Sequence, residues 1–194
     1  MCRAGRVGQT VIMPPAPRVL VVCTGNICRS PLAATLLGAI LTDTSVGSAG
    51  THAVVGAPID PTMVEVAGRH GTALPRHAAI QLSPAMVRAA DLVLAMTRGH
   101  RSAIVAAEPA ALRRTLTLRE LARLVSQTPL PGAHLSPGAR LVAALPDVLT
   151  RRRANPDGPE LDDVDDPYRG PVAAYQRAFA EIDEAVRTLA TALA

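Results

Sequence analysis

The sequence predicts an α/β fold, one parallel sheet with helices on both faces. Two short, almost wholly apolar runs, residues 18–22 and 91–96, have the length and unbroken hydrophobicity of strands buried on both sides. Stretches of helical length and period alternate with such runs along the chain, the pattern of strand–helix–strand units. Between the first run and a helix opened by Pro31 lies a compact loop, residues 23–30. Proline is favoured in a first helical turn, where its missing N–H costs nothing.

Taken in order, residues 1–17 are rich in Gly, Pro and Arg without periodicity and predict a disordered lead-in. Residues 18–194 predict a single domain. Within it, 18–22 is the first strand and 31–41 the first helix. Val46 leads into a short strand that breaks into a loop at Gly50-Thr51. Pro61 opens a second helix and Gly71 ends it. Ser83-Pro84 starts a brief helix to about Ala89, and 91–96 is the second clear strand. Thr97 caps a helix that Pro109 stops. Thr115 to Leu118 is a last short strand, and Leu118, Leu121, Ala122 and Val125 repeat at helical spacing. Residues 127–160 open with three prolines, hold a helical piece over 138–153 and a loop over 155–159, and are expected as an insertion on the surface. An acidic stretch, 160–168, precedes a closing amphipathic helix from about Pro171, with Ala174, Phe179, Ile182, Val186, Leu189 and Leu193 on its inner face.

Composition narrows the function. The chain is 48% hydrophobic but 2% aromatic, so Ala, Val and Leu must fill the core. No apolar run approaches the ~20 residues of a membrane span, and the N-terminus lacks a signal-peptide pattern, so a cytoplasmic protein with no membrane partner is expected. Three cysteines, two of them in one loop, do not make a disulfide framework and suit a reducing compartment. Net charge is +4, and all 20 basic residues are arginine. They are scattered, with almost no aromatics among them, which argues against nucleic acid as a partner.

The chemistry concentrates in Cys23-Thr24-Gly25-Asn26-Ile27-Cys28-Arg29-Ser30-Pro31. Such a loop converges its backbone N–H groups on its centre, and the helix behind it adds a positive end, so a phosphate-sized anion fits above the Cys23 sulfur. Loop amides, the helix N-terminus, Arg29 and a Ser30 hydroxyl contact all favour the reactive thiolate. Arg29 supplies a planar fork that matches two phosphate oxygens, which lysine lacks. In-line attack by Cys23 would give a phosphocysteine. The leaving group then needs a proton, and Asp162, Asp163, Asp165 and Asp166 are the supply. Pro167 makes Asp166 the best placed, because it biases that residue to an extended conformation.

This nonapeptide resembles the signature loop of the low-molecular-weight protein tyrosine phosphatases, and Asp166-Pro167-Tyr168 resembles their acid-bearing loop. The resemblance implies a flavodoxin-like, doubly wound sheet of four parallel strands. It implies Cys23 as nucleophile, Arg29 as phosphate ligand and Asp166 as general acid and base, with no metal and no cofactor. Thr24, Gly25, Asn26, Ile27, Cys28, Ser30 and Tyr168 would bind substrate, while Asn26, Ser48 and His77 would form a network supporting the loop. Asn26 also suits that place by itself, since asparagine tolerates a left-handed backbone. The implied substrate is a phosphotyrosine-containing protein or a small phosphomonoester, and a cognate tyrosine kinase is the implied partner.

Four positions depart from the family pattern: Ala34 where glutamate is common, Ala53 near a position often aromatic, Thr97 where aspartate is frequent, and Arg169 in place of a second aromatic. Two other activities share the loop. Phosphoarginine hydrolysis goes with threonine at the position of Ile27, and arsenate reduction needs resolving cysteines downstream, of which none follows Cys28.

Overall fold

The structure is a computed structural model and describes residues 16–154 and 161–194, without the side chains of 153 and 154. The expected lead-in and the 155–159 loop therefore lie outside the described residues. Ala16 and Pro17 are the exceptions, and Pro17 is already tied to the sheet, where Ser45 N donates to its carbonyl at 2.9 Å.

Four strands, β1 (Arg18–Cys23), β2 (Ser45–Gly50), β3 (Leu92–Ala95) and β4 (Thr115–Thr117), form one sheet in the order β2-β1-β3-β4. Every pairing is parallel; Val21 lies opposite both Ser48 and Leu94. The apolar runs become the two central strands, and their period of two divides the core. Val19, Val21, Leu92 and Leu94 point into the larger cluster, with α1 (Arg29–Ile40), α2 (Pro61–Arg69), α5 (Leu118–Val125), α6 (Pro137–Ala154) and α7 (Val172–Leu193). Leu20, Val22, Val93 and Ala95 point the other way, to α3 (Pro84–Ala89), α4 (Arg98–Ala107) and the 3₁₀ turn at Pro109–Arg114. Helices thus cover both faces, the doubly wound architecture expected.

Two expectations need correction. Helix α1 begins at Arg29, not at Pro31, with Cys28 as its N-cap. Pro31 still sits in the first turn, where backbone N–H groups have no helical partner. The segment 127–160 is not simply laid on the surface, because Leu141, Ala144, Leu145 and Val148 of α6 are buried in the main cluster. Its helix is anchored further by Arg152, which meets both carboxylate oxygens of Glu120 on α5. Glu120 in turn completes a capping box with Thr117 at the start of α5. On α7, Ala174 is only half-buried, and Tyr175 and Ala178 take the inner face beside Phe179.

Candidate active site

A parallel sheet delivers its loops to the carboxyl edge of the strands, and there β1 ends in Cys23 and the 23–30 loop begins. The carbonyls of this loop are turned outward and engaged. Thr51 N donates to Cys23 O (2.9 Å), His52 N to Thr24 O (3.0 Å), Val54 N to Gly25 O (3.1 Å) and Asp60 N to Ile27 O (2.8 Å). His77 Nε2 donates to Asn26 O at 2.7 Å. With the carbonyls taken from outside, the amides are left for the interior, and Asn26 N reaches Cys23 Sγ at 3.3 Å. Gly50 is required beside this turn, since a Cβ there would stand 2.4 Å from the Thr24 carbonyl oxygen.

Asn26 adopts the left-handed backbone, φ 56°. Its side chain is fully buried and uses every polar hydrogen. Nδ2 donates to Ser30 Oγ and Ser48 Oγ, both at 2.9 Å, and Oδ1 accepts from Ile80 N at 2.8 Å. Because Ser30 Oγ accepts from Asn26, its own hydrogen is free for Cys23 Sγ, 3.0 Å away. The structure thus brings Asn26, Ser48, His77 and Ser30 together around the loop. Asn26 and Ser30 are fully buried and both contact the sulfur, so their side chains brace the cradle and only their backbone amides are left for a bound anion.

Arg29, the first residue of α1, is 3% exposed. Its Nη1 donates to the Val164 carbonyl at 3.0 Å, and its Nη2 lies 2.6 Å from Asp166 Oδ2 and 3.4 Å from Thr24 Oγ1. Nε is buried without a partner among the described residues. The Nε–Nη2 edge of the fork is therefore the one presented to an anion. Asp166 is half-exposed, and its other oxygen accepts from Tyr168 N at 3.2 Å. The other acidic candidates are occupied or remote. Asp162 is held by Arg123 at 2.9 Å, Asp163 accepts from Arg98 N at 2.7 Å, and Asp165 lies exposed outside the pocket. Only Asp166 meets Arg29.

The pocket measures about 130 Å³; Cys23, Thr24, Gly25, Ile27, Cys28 and Arg29 form its base, and His52, Val54, Asp166 and Tyr168 its remaining wall. Ala53 is not part of that wall; its amide donates to Gln81 Oε1, and its neighbours His52 and Val54 face the pocket instead. Burial pushes the Cys28 thiol far up, reinforced by nearby Asp60. Arg169 also has a left-handed backbone, φ 62°, and its guanidinium lies 5.1 Å from the centre of the Tyr168 ring. Ala34 opens a separate hollow of about 290 Å³ behind the loop, shared with Ser48 and His77. Thr97 caps α4 by accepting from His100 N at 3.1 Å.

Sequence reasoning missed His100, which reaches the loop through Thr24 Oγ1 at 2.8 Å. The available signal was its place three residues after a capping threonine at the carboxyl end of β3. Among the described residues, no group of three or more His, Cys, Asp or Glu is placed to hold a metal ion, and no helix is long and apolar enough to cross a membrane.

A buried guanidinium and a thiol lining one pocket, in a loop whose carbonyls are engaged from outside, suit the class of enzymes that bind phosphoryl groups beside a cysteine. The family model for low molecular weight phosphotyrosine protein phosphatase matches residues 18–128. The probable low molecular weight protein-tyrosine-phosphatase EpsP of Ralstonia solanacearum is 34% identical over 168 residues, 87% of this chain and 90% of its own. Etp of Escherichia coli strain K12, another low molecular weight protein-tyrosine-phosphatase, is 44% identical over 98 residues, half of this chain and 66% of its own. Among solved structures, Vibrio vulnificus Wzb in complex with benzylphosphonate superposes with a TM-score of 0.67 at 27% identity, covering 90% of this chain and 97% of that one. YwlE arginine phosphatase from Geobacillus stearothermophilus gives 0.66 at 32% identity, covering 90% and 91%. This chain belongs to the low molecular weight phosphotyrosine protein phosphatase family.

Proposed function

We propose that the protein hydrolyses phosphotyrosine in proteins through a phosphocysteine on Cys23. The observation that carries this reading is the Arg29–Asp166 pair, 2.6 Å apart at the rim of the pocket whose base holds Cys23. A phosphate dianion entering the loop takes the Nε–Nη2 edge of Arg29, and Asp166, released from the guanidinium toward the leaving-group oxygen, takes up a proton from solvent. The Cys23 sulfur attacks phosphorus in line, and Asp166 gives its proton to the departing phenolate. Water then attacks phosphorus with Asp166 taking its proton, and the phosphorus–sulfur bond breaks as the new phosphorus–oxygen bond forms, which returns free thiolate and inorganic phosphate. Loop amides and Arg29 hold the charge on the non-bridging oxygens throughout. Ser30 donates to the sulfur and steadies it both as attacking and as leaving group.

Val54, His52 and Tyr168 are the surfaces available to the substrate's aromatic ring. The benzylphosphonate bound by the Vibrio relative is a ligand of similar size and charge. The likeness to an arginine phosphatase favours phosphoarginine as a second reading. Against it, the wall at Ile27 is apolar and offers no hydroxyl to a guanidinium. A phosphotyrosine protein, including a cognate tyrosine kinase phosphorylated on its own tyrosines, is the partner this reading implies. A thiol nucleophile also suits the reducing cytoplasm.

The test compares a phosphotyrosine peptide and a phosphoarginine peptide with one preparation. Phosphotyrosine should be turned over at least tenfold more efficiently, and the reverse order would transfer the assignment to phosphoarginine. Cys23→Ser should abolish turnover of either, while retained turnover would end the covalent mechanism. Asp166→Asn should slow substrates with poor leaving groups far more than those with good ones; equal losses would remove Asp166 from the proton-transfer role.

A further inference from the structure

His100 forms the middle of a hydrogen-bonded chain that ends in the pocket. Thr97 Oγ1 lies 2.9 Å from His100 Nδ1, and His100 Nε2 lies 2.8 Å from Thr24 Oγ1. Thr24 Oγ1 also accepts from Arg29 Nη2, the nitrogen that meets Asp166. Thr24 thus stands on the acid's side of the cradle, next to where a phosphoryl oxygen must sit.

The direction of this chain follows from counting hydrogens. Burial, with help from the Arg29 charge, lowers the His100 pKa to about 4, so the ring is neutral at neutral pH and carries one N–H. If that hydrogen is on Nδ1, it points at Thr97, the Thr24 hydroxyl is consumed by Nε2, and nothing is offered to the pocket. If it is on Nε2, Thr97 donates to Nδ1, the ring donates to Thr24, and Thr24 must point its own hydrogen elsewhere. Among the described residues Thr24 Oγ1 has His100 and Arg29 as its only partners, and both are then donors. Its hydrogen is left for the pocket it lines. A dianion in the loop selects this second arrangement, because every dipole of the chain then has its positive end toward the anion.

We propose that His100 is a positioning residue for phosphoryl transfer: in the anion complex it donates Nε2–H to Thr24 and so turns the Thr24 hydroxyl into a donor to a phosphoryl oxygen. The proposal rests on the phosphatase reading and adds to it a side-chain role for Thr24, already expected to bind substrate, as donor to a phosphoryl oxygen, with His100 behind it. No net charge moves, since the neutral ring only exchanges one tautomer for the other.

The amide variants of His100 separate this from a packing role. Gln places its NH₂ near the Nε2 position and can still donate to Thr24, whereas Asn places it near Nδ1 and cannot. On an aryl phosphate, His100→Asn and Thr24→Val should each lower kcat/KM by roughly tenfold to a hundredfold, the range that spans loss of a modest donor to a transition-state oxyanion. His100→Gln should recover most of that loss. The double variant Thr24→Val with His100→Asn should fall no further than Thr24→Val alone. Nitrogen-15 NMR of the vanadate complex should show the proton of His100 on Nε2. Equal activity of the Gln and Asn variants, multiplying losses in the double variant, or a proton on Nδ1 in the complex would each overturn the proposal. Failure of the phosphatase reading itself would look different, since wild-type protein would then turn over no aryl phosphate at all. Urea unfolding of each variant keeps folding defects apart from kinetic ones.

Discussion

Replacing Asn26 by alanine tests how the cradle is held in shape. Three side-chain hydrogen bonds vanish, to Ser30, to Ser48 and from Ile80 N. The serine hydroxyls can turn to other partners, so each of those losses is worth about 1 kcal/mol, while the Ile80 amide is stranded at a cost of about 1–3 kcal/mol. Alanine must also occupy the left-handed backbone that asparagine holds at φ 56°, which costs about 1 kcal/mol more. The variant should therefore lose about 4–6 kcal/mol of stability, a large share of the ~5–15 kcal/mol typical of a domain. Asn26→Gly removes the same bonds without the backbone strain and should be less damaged by roughly 1 kcal/mol. Urea denaturation followed by circular dichroism measures both values. kcat should fall in both, because Asn26 N and the Ser30 hydroxyl that Asn26 orients are the contacts to the sulfur. An alanine variant that loses less than about 1 kcal/mol and keeps its turnover would refute the idea that this network shapes the loop.

Arg152→Met should destabilise the protein by about 2–4 kcal/mol, since it leaves the Glu120 carboxylate buried without its partner; double replacement with Glu120→Gln should recover part of the loss in the same urea assay. Cys28, whose thiol burial pushes up, should stay unmodified by iodoacetamide at pH 8 in the native protein and react once urea unfolds it, as read by peptide mapping. Rapid native labelling of Cys28 would show that the base of the pocket opens freely.

How much of the site was legible follows from how each residue is held. Cys23 and Arg29 act within one loop whose shape is set by a strand before it and a helix after it, so their spacing along the chain already brings them together. Asn26 was readable for a related reason, because its side chain suits a backbone few other residues accept. Asp166 was one of four acids in its stretch; Pro167 and the family resemblance pointed to it, and the packing of 162–168 gives the physical reason, since Asp162 and Asp163 are each claimed by another arginine. His52 and Val54 escaped because nothing local marks them, and His100 because its one local mark, a place three residues after the capping Thr97, does not show that it faces the loop. They matter only through loops that a parallel sheet gathers from distant parts of the chain. The 127–160 segment was misjudged as surface for the opposite reason: its prolines are conspicuous, while the four residues that bury α6 are ordinary Leu, Ala and Val.

By itself the sequence determined the alternation of strands and helices, the identity of the central strands and the thiol–guanidinium loop, because each depends on periodicity or on neighbours within a few residues. The tertiary structure alone decided that Asp162 and Asp163 are claimed elsewhere, that His52 and Val54 wall the pocket, and that Thr97, His100 and Thr24 join into one chain behind it. Most of those contacts join distant parts of the chain, as Thr24 and His100 do across 76 positions, and their geometry exists only once the strands have paired and their carboxyl ends have been brought to one edge.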